Sequence, residues 1–423
     1  MFFKKRRLFS LHKLIHMFLD KMGRWVYLGS LFVLVVILTA AVFSLGIPWP
    51  GTDTEEVEEK DEDGKEEGSY AEEEGYRLSD GSPMERKEID DPDVYTYYHM
   101  VDDLREIAGE YPGITRLGRI GYSVEGVPLW SMAVGAGEKD VLVVGAAHAR
   151  EWITTPVLIE QARTYAAHYQ EGQEECQELP AQDGLSSEFC LNSMLRDYTI
   201  WFVPMLNPDG VRLVQKGSSI YPQREQELLE MNKPGMGEDF SRWKANIRGV
   251  DLNKQYDVNW EETLQLAFVD SQREVKLEPS WQNYMGEEPF SEPEARAVAE
   301  LLDDEDRDFR LGLDYHSTGQ FIFWYYGQEG EHLETNQRIV GAMSDYSGYG
   351  MMASGSYHEP NTCLSRYIIL ERGLPGATVE ITPFTEEVRN MSDFDEAIEN
   401  NRYMIPEAIN ALDSSSEEGR ELP

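Results

Sequence analysis

Three short segments of this 423-residue chain carry side chains that could do chemistry together. The first is His148-Ala149-Arg150-Glu151, which follows the apolar run Val141 to Val144 and Gly145. An imidazole and a carboxylate three residues apart, on a turn leaving a strand, can both reach one metal ion. Zinc takes nitrogen and oxygen donors of this kind and keeps one position open when it is catalytic. A surface pair with no metal is the plain alternative for H-x-x-E alone. The second segment is Asp314-Tyr315-His316-Ser317, at the end of an apolar stretch that begins at Phe309. Its histidine would complete a set of two imidazoles and one carboxylate. The third is Thr378-Val379-Glu380-Ile381, an acid inside an apolar strand, where a charge is costly unless something uses it. Glu380 reads as a general base, or else as an edge residue facing water.

The elements that must position these residues follow from hydrophobic patterning. Helical spacing covers 99–111, with Met100, Leu104 and Ile107 on one face. A short strand is expected at 120–125 and a turn at Gly126, weak alternation follows over 127–134, and strands are expected at 141–144, 198–204, 309–315, 321–326 and 377–381. Helices are expected at 155–169, with Pro156 in its first turn, and at 293–302, with Ser291 as its cap. Strands alternating with helices imply an α/β fold, with sites at the carboxyl ends of the strands. All three segments sit at such ends.

With these segments in order, the chain resembles the zinc carboxypeptidase family, the carboxypeptidase A-like metallopeptidases. Asn207-Pro208-Asp209-Gly210 after the 198–204 strand fits the family's N-P-D-G. Arg242-Trp243-Lys244-Ala245-Asn246 followed by Gly249-Val250-Asp251-Leu252-Asn253 is similar to its W-R-x-N and G-V-D-x-N-R stretch. The likeness spans about 94–411 and implies a mixed central β-sheet flanked by helices. It implies one Zn2+ per chain held by His148, Glu151 and His316, with Glu380 as general base and Asp251 orienting a zinc imidazole. It also implies substrate contacts from Arg150, Asn253 and a loop tyrosine. Tyr357 is taken for that role, although counting back from Glu380 falls on His358.

Three positions depart from the family pattern. Lys244 stands where an arginine polarises the scissile carbonyl, and Lys254 where an arginine pairs the substrate's terminal carboxylate. Lysine keeps the charge but loses the bidentate fork. Arg366 falls at a pocket position commonly held by aspartate, beside the aromatic Tyr367. Trp-Lys-Ala-Asn and Leu374-Pro375-Gly376 resemble the bacterial γ-D-glutamyl-diaminopimelate peptidases, which implies peptide or peptidoglycan stem-peptide substrates. A non-catalytic wall-binding protein and a zinc amidase acting on a non-peptide acyl group are the alternative readings of this scaffold.

The rest of the chain sets location and excludes partners. Lysines and arginines number 38 against 78 acids, a net charge of −40, which argues against nucleic acid because phosphates need cations. Residues 1–24 are basic, and 25–48 form an uncharged apolar run long enough to cross a bilayer. They read as a signal anchor with a cytoplasmic N-terminus and an extracellular remainder, a cleaved signal peptide being the alternative. Residues 51–91 are a strongly acidic tether, 92–412 the catalytic domain and 413–423 a tail. Cys176 and Cys190 flank an inserted segment and are expected to form a disulfide or to stay as two thiols, with Cys363 left over.

Overall fold

The computed structural model describes residues 76–84, 91–169, 191–269, 275–353, 361–384 and 391–417. The expected anchor at 25–48, Tyr357 and His358, and Cys176 with Cys190 lie outside them. Among the described residues no helix is long and apolar enough to cross a membrane.

Eight strands form one mixed sheet in the order β1-β2-β4-β3-β5-β8-β6-β7. They are β1 Thr115–Tyr122, β2 Pro128–Gly135, β3 Lys139–Gly145, β4 Tyr198–Val203, β5 Asp308–His316, β6 Phe321–Tyr325, β7 Gly350–Ala353 and β8 Gly376–Glu380. The middle strands β4, β3, β5 and β8 run parallel. β1, β2 and β4 pair antiparallel, as do β6 and β8.

The central strands are continuous apolar runs because both faces of the sheet are covered. Alternation sends Val141 and Val143 of β3, with Ile200 and Phe202 of β4, into one core. Leu142, Val144, Trp201 and Val203 enter the core on the other face. Helices Tyr97–Glu110, Thr154–His168 and Gly330–Ser347 contribute buried residues to the first core. Pro293–Leu302 and Leu364–Leu370 contribute to the second.

Local chemistry moves three expected boundaries. The first strand begins at Thr115 and stops at Tyr122, because Ser123 to Gly126 fold into a turn closed by Gly126 N–H donating to Ser123 O at 2.9 Å. Ser291 does not cap helix Pro293–Leu302. Glu292 occupies the cap position without a side-chain cap bond, and Ser291 Oγ donates instead to Gln255 Oε1 at 3.0 Å. β8 ends at Glu380, so that acid is the strand's last residue and Ile381 lies beyond it.

Candidate metal centre and active site

His316 and Glu380 are the last residues of two adjacent parallel strands and lie directly opposite each other in register. β3 ends next to them at Gly145, which pairs with Tyr315. Beyond it Ala146 adopts a left-handed backbone, φ 49°, a conformation rare for a residue with a side chain. Ala146 N–H donates to Thr154 Oγ1 at 2.8 Å, and its carbonyl accepts from Asn207 N–H at 3.1 Å. The chain therefore leaves the sheet sharply, and His148 and Glu151 follow on the turn Ala149–Glu151.

Three donor atoms then converge. Nδ1 of His148 lies 3.0 Å from Nδ1 of His316 and 3.1 Å from Oε2 of Glu151. Nδ1 of His316 lies 2.9 Å from the same oxygen. A tetrahedral ion with bonds near 2.0–2.1 Å holds its ligand atoms roughly 3.3 Å apart, so this triangle needs little adjustment to close on zinc. All three residues are buried.

The donor chemistry fits as well. Nε2 of His148 faces Oδ1 of Asp251 at 3.1 Å, and Nε2 of His316 faces Oδ2 of Asp314 at 2.9 Å. Each carboxylate accepts the Nε2 hydrogen and leaves Nδ1 with a lone pair aimed at the common centre. Asp251 is held in turn, Oδ1 by Asn253 N–H at 3.1 Å and Oδ2 by Asn283 N–H at 3.0 Å.

Electrostatics separate the acids. Burial would raise the Glu151 pKa, but His148 and Lys244 together with its hydrogen bonds pull it well below the usual range. Burial also works against ionisation of Asp251, and His148 and the nearby lysines reverse it, so its pKa falls. Burial lowers the His316 pKa, and Asp314 and Glu151 outweigh that and raise it. Glu380 behaves differently. Its burial, opposed by His316 and reinforced by Glu151, pushes it up to about 8.

Two of the expected cations stand beside this centre. Lys244 Nζ is 3.7 Å and Arg150 Nε 3.8 Å from Oε1 of Glu151, the oxygen turned away from the histidines. The segments carrying them pair through the backbone, Ala149 and Arg150 donating to the carbonyls of Lys244 and Trp243 at 3.0 Å each. Asn253 Nδ2 lies 3.1 Å from His316 Nε2, and its Oδ1 accepts from Leu364 N–H at 3.0 Å. Lys254 Nζ donates to Asn361 Oδ1 at 3.0 Å. Arg366 is buried on helix Leu364–Leu370, its guanidinium carbon 5.9 Å from the centre of the Tyr326 ring. Cys363 is a buried free thiol next to Tyr326.

Two features of the site were not read from the sequence. The motif alone gives Asp314 no role, although residues i and i+2 of a strand share a face and D-x-H at a strand end announces such a pair. Asn207 also does more than mark a motif. Its Oδ1 accepts from Gly210 N–H at 3.0 Å, capping helix Pro208–Lys216, while Nδ2 donates to the carbonyls of Ala147 and Ala245 at 3.1 and 3.0 Å. One side chain thereby ties the His148 turn to the Lys244 segment. Gly210 is needed because a Cβ there would stand 2.7 Å from Ala245 O and 2.8 Å from Ala149 Cβ.

A mixed α/β sheet with two imidazoles and a carboxylate at its strand ends, and a raised-pKa glutamate alongside, defines a zinc metallopeptidase. Residues 100–359 match the family described as zinc carboxypeptidase, peptidase M14. Gamma-D-glutamyl-L-diamino acid endopeptidase 1 of Lysinibacillus sphaericus is 31% identical over 301 residues, 71% of this chain and 68% of that protein. The uncharacterized protein YqgT of Bacillus subtilis (strain 168) is 30% identical over 262 residues, 62% of this chain and 63% of its own length. This chain thus spans about two thirds of the length of both relatives. Carboxypeptidase A from Helicoverpa armigera shares the fold, with a TM-score of 0.53 at 19% identity over 77% of this chain and 75% of that one. The chain belongs to the zinc carboxypeptidase family.

Proposed function

We propose that this chain is a membrane-anchored, extracellular zinc peptidase acting on peptides in which a diamino acid carries a side-chain carboxylate, the class found in cell-wall stem peptides. The observation that carries the peptidase chemistry is the register pairing of His316 with Glu380 beside the three converging donors. The substrate class rests on the sequence likeness to an enzyme named for γ-D-glutamyl-L-diamino acid bonds. The cationic residues Lys254 and Arg366 support it. The location rests on the basic and apolar N-terminal sequence and the acidic tether that follows.

Nδ1 of His148, Nδ1 of His316 and Oε2 of Glu151 would hold zinc, which when bound would supply a Lewis acid and make water acidic enough to ionise near neutral pH. Asp251 and Asp314 keep the Nε2 hydrogens and fix both rings. Glu380, whose carboxylate is raised into the range of a working base, takes a proton from the attacking water and returns it to the leaving nitrogen. Lys244 Nζ offers positive charge to the carbonyl oxygen as it becomes anionic, the part an arginine plays in the family pattern. Lys254 and Arg366 orient the carboxylates of the substrate.

The test is digestion of purified stem peptides and of plain peptides, with and without a chelator, followed by mass spectrometry. Chelator-sensitive cleavage at the bond before the diamino acid is the expected result. Cleavage confined to plain C-terminal residues would overturn the substrate reading and leave the zinc peptidase intact.

A further inference from the structure

A second charged cavity lies away from the zinc site, on the face of the sheet crossed by helix Pro293–Leu302. Arg116, Ala133, Trp201 and Leu142 form one row across β1, β2, β4 and β3. The helix comes close to β1 at Gly121, where a Cβ would stand 3.0 Å from Ala297 Cβ. Further along, Gly118 and Ser131 face the helix with little bulk, so the angle between helix and sheet is not filled. A cavity of about 480 Å³ opens there, lined by Arg116, Trp201, Glu300, Asp304 and Arg307 among others. Arg307 immediately precedes β5, and His316 ends it nine residues on, a strand roughly 30 Å long. The cavity is therefore separate from the zinc centre.

Its charges are arranged on opposing walls. The indole of Trp201 is fixed by donating Nε1–H to Asp140 Oδ1 at 2.6 Å. The guanidinium carbon of Arg307 lies 3.7 Å from the indole centre, and that of Arg116 lies 5.7 Å from it. Arg307 pairs with Asp304 at 3.0 Å, which neutralises both. Arg119, also in the lining, donates to Tyr122 Oη at 3.1 Å, which leaves Arg116 on the strand wall and Glu300 on the helix wall. Both are exposed, and among the described residues no ion pair joins them. Arg116 makes one hydrogen bond, to Gly135 O at 3.3 Å.

We propose that this cavity binds a zwitterionic amino-acid or short-peptide group, its carboxylate on Arg116 and its ammonium on Glu300, as a peptide-binding exosite distinct from the active site. A purely anionic ligand would meet Glu300 and a purely cationic one Arg116, and each would lose one of the two contacts. The available volume suits a group of one to three residues.

The probe is alanyl-alanine, compared with its N-acetyl and amide derivatives, titrated calorimetrically into the zinc-loaded full chain. Saturable binding of the dipeptide is expected, with affinity lower on the order of tenfold for each blocked derivative and for each of the variants Arg116→Gln and Glu300→Gln, the scale of one charge-assisted hydrogen bond. Both residues are exposed and remote from the zinc, so kcat/KM on a peptide substrate and the melting temperature should not change. The proposal is overturned if the dipeptide shows no saturable binding, if both variants bind it as wild type does, or if the blocked derivatives bind equally well. None of these results bears on the zinc peptidase reading.

Discussion

Nε2 of His316 lies 2.9 Å from Oδ2 of Asp314, two residues earlier on the same strand. Strand alternation alone puts both side chains on one face, so the carboxylate that orients the zinc imidazole comes from the same element as the imidazole. His148 receives its carboxylate, Asp251, from more than a hundred residues away, through a segment pinned by Asn283 and Asn253.

Replacing Asp314 by Asn should therefore weaken zinc binding by about 10–100-fold, the usual effect of losing such an orienting carboxylate, without unfolding the chain. His148→Ala or His316→Ala should abolish metal content outright. Competition titration with a chromophoric chelator measures both effects. An Asp314→Asn variant with wild-type zinc affinity would show that the pair holds the strand end and not the metal ligand.

Glu380→Gln should keep its zinc and lose activity by roughly 10²–10⁴-fold. A base works only when ionised, so activity should fall as pH drops through the Glu380 pKa. Burial sets that pKa up to about 8, and a dication beside it acts in the opposite direction. The acid limb of kcat/KM is thus expected between the ordinary glutamate value of 4.5 and about 8. A pH–rate profile of zinc-loaded wild type locates it, and the same limb surviving in Glu380→Gln would assign it to another group.

How much of this was legible in the sequence depends on how each element is stabilised. β3, β4 and β5 carry long apolar runs because helices cover both their faces, and their ends were readable to within a residue or two. β7 escaped because Gly350–Ala353 is a four-residue edge strand, exposed throughout, with no alternation to show. Helix Gly330–Ser347 escaped for a related reason, since only five of its eighteen residues are buried. The metal ligands stood out by residue type and spacing. The roles of Asp314 and Asn207 did not, because each depends on a partner brought close by the fold: the orientation of a ring in one case and two carbonyls from distant segments in the other.

A second pair of buried acids predicts the pH dependence of stability. Glu294 Oε1 accepts from Val124 N–H at 3.1 Å, and Asp209 Oδ2 accepts from Glu125 N–H at 2.9 Å, so the two carboxyls grip the turn between β1 and β2. Burial first, and then the charge of Asp209, push Glu294 up to about 8. Burial, helped by the charge of Glu125, drives Asp209 up to about 6 against its hydrogen bonds and the charge of Arg212. Both groups hold their protons more tightly when folded than when unfolded. Their contribution is most favourable below the unfolded values of 4.5 and 3.8, and it is lost as pH rises toward about 8 and about 6. Glu294→Gln keeps the acceptor for Val124 and removes the titration. Its melting temperature should decline less than wild type between pH 5 and pH 8, and parallel declines in thermal melts would exclude Glu294 as the source.

The last prediction concerns specificity. Arg366 lies beside a polar chain in which Tyr326 Oη is 2.7 Å from Ser365 Oγ, and Ser365 Oγ is 2.6 Å from Thr378 Oγ1. Thr378 is two residues before Glu380 on β8, hence on the same face as the base. A guanidinium at that position should favour a substrate side chain ending in a carboxylate. Burial lowers the Arg366 pKa, yet an arginine so placed remains charged, since its ordinary value is 12.5. Wild type should prefer a stem peptide with a free diaminopimelate carboxylate over a plain peptide ending in leucine by about 1–3 kcal/mol in kcat/KM, the worth of a charge-assisted hydrogen bond. Arg366→Ala should erase that preference and leave zinc content unchanged. Arg366→Lys should restore part of it, because lysine returns the charge without the planar fork. Since Arg366 is buried, melting temperatures of both variants separate lost recognition from lost folding. Equal kcat/KM for the two substrates in wild type, or an equal fall for both in Arg366→Ala, would place the selecting group elsewhere in the pocket.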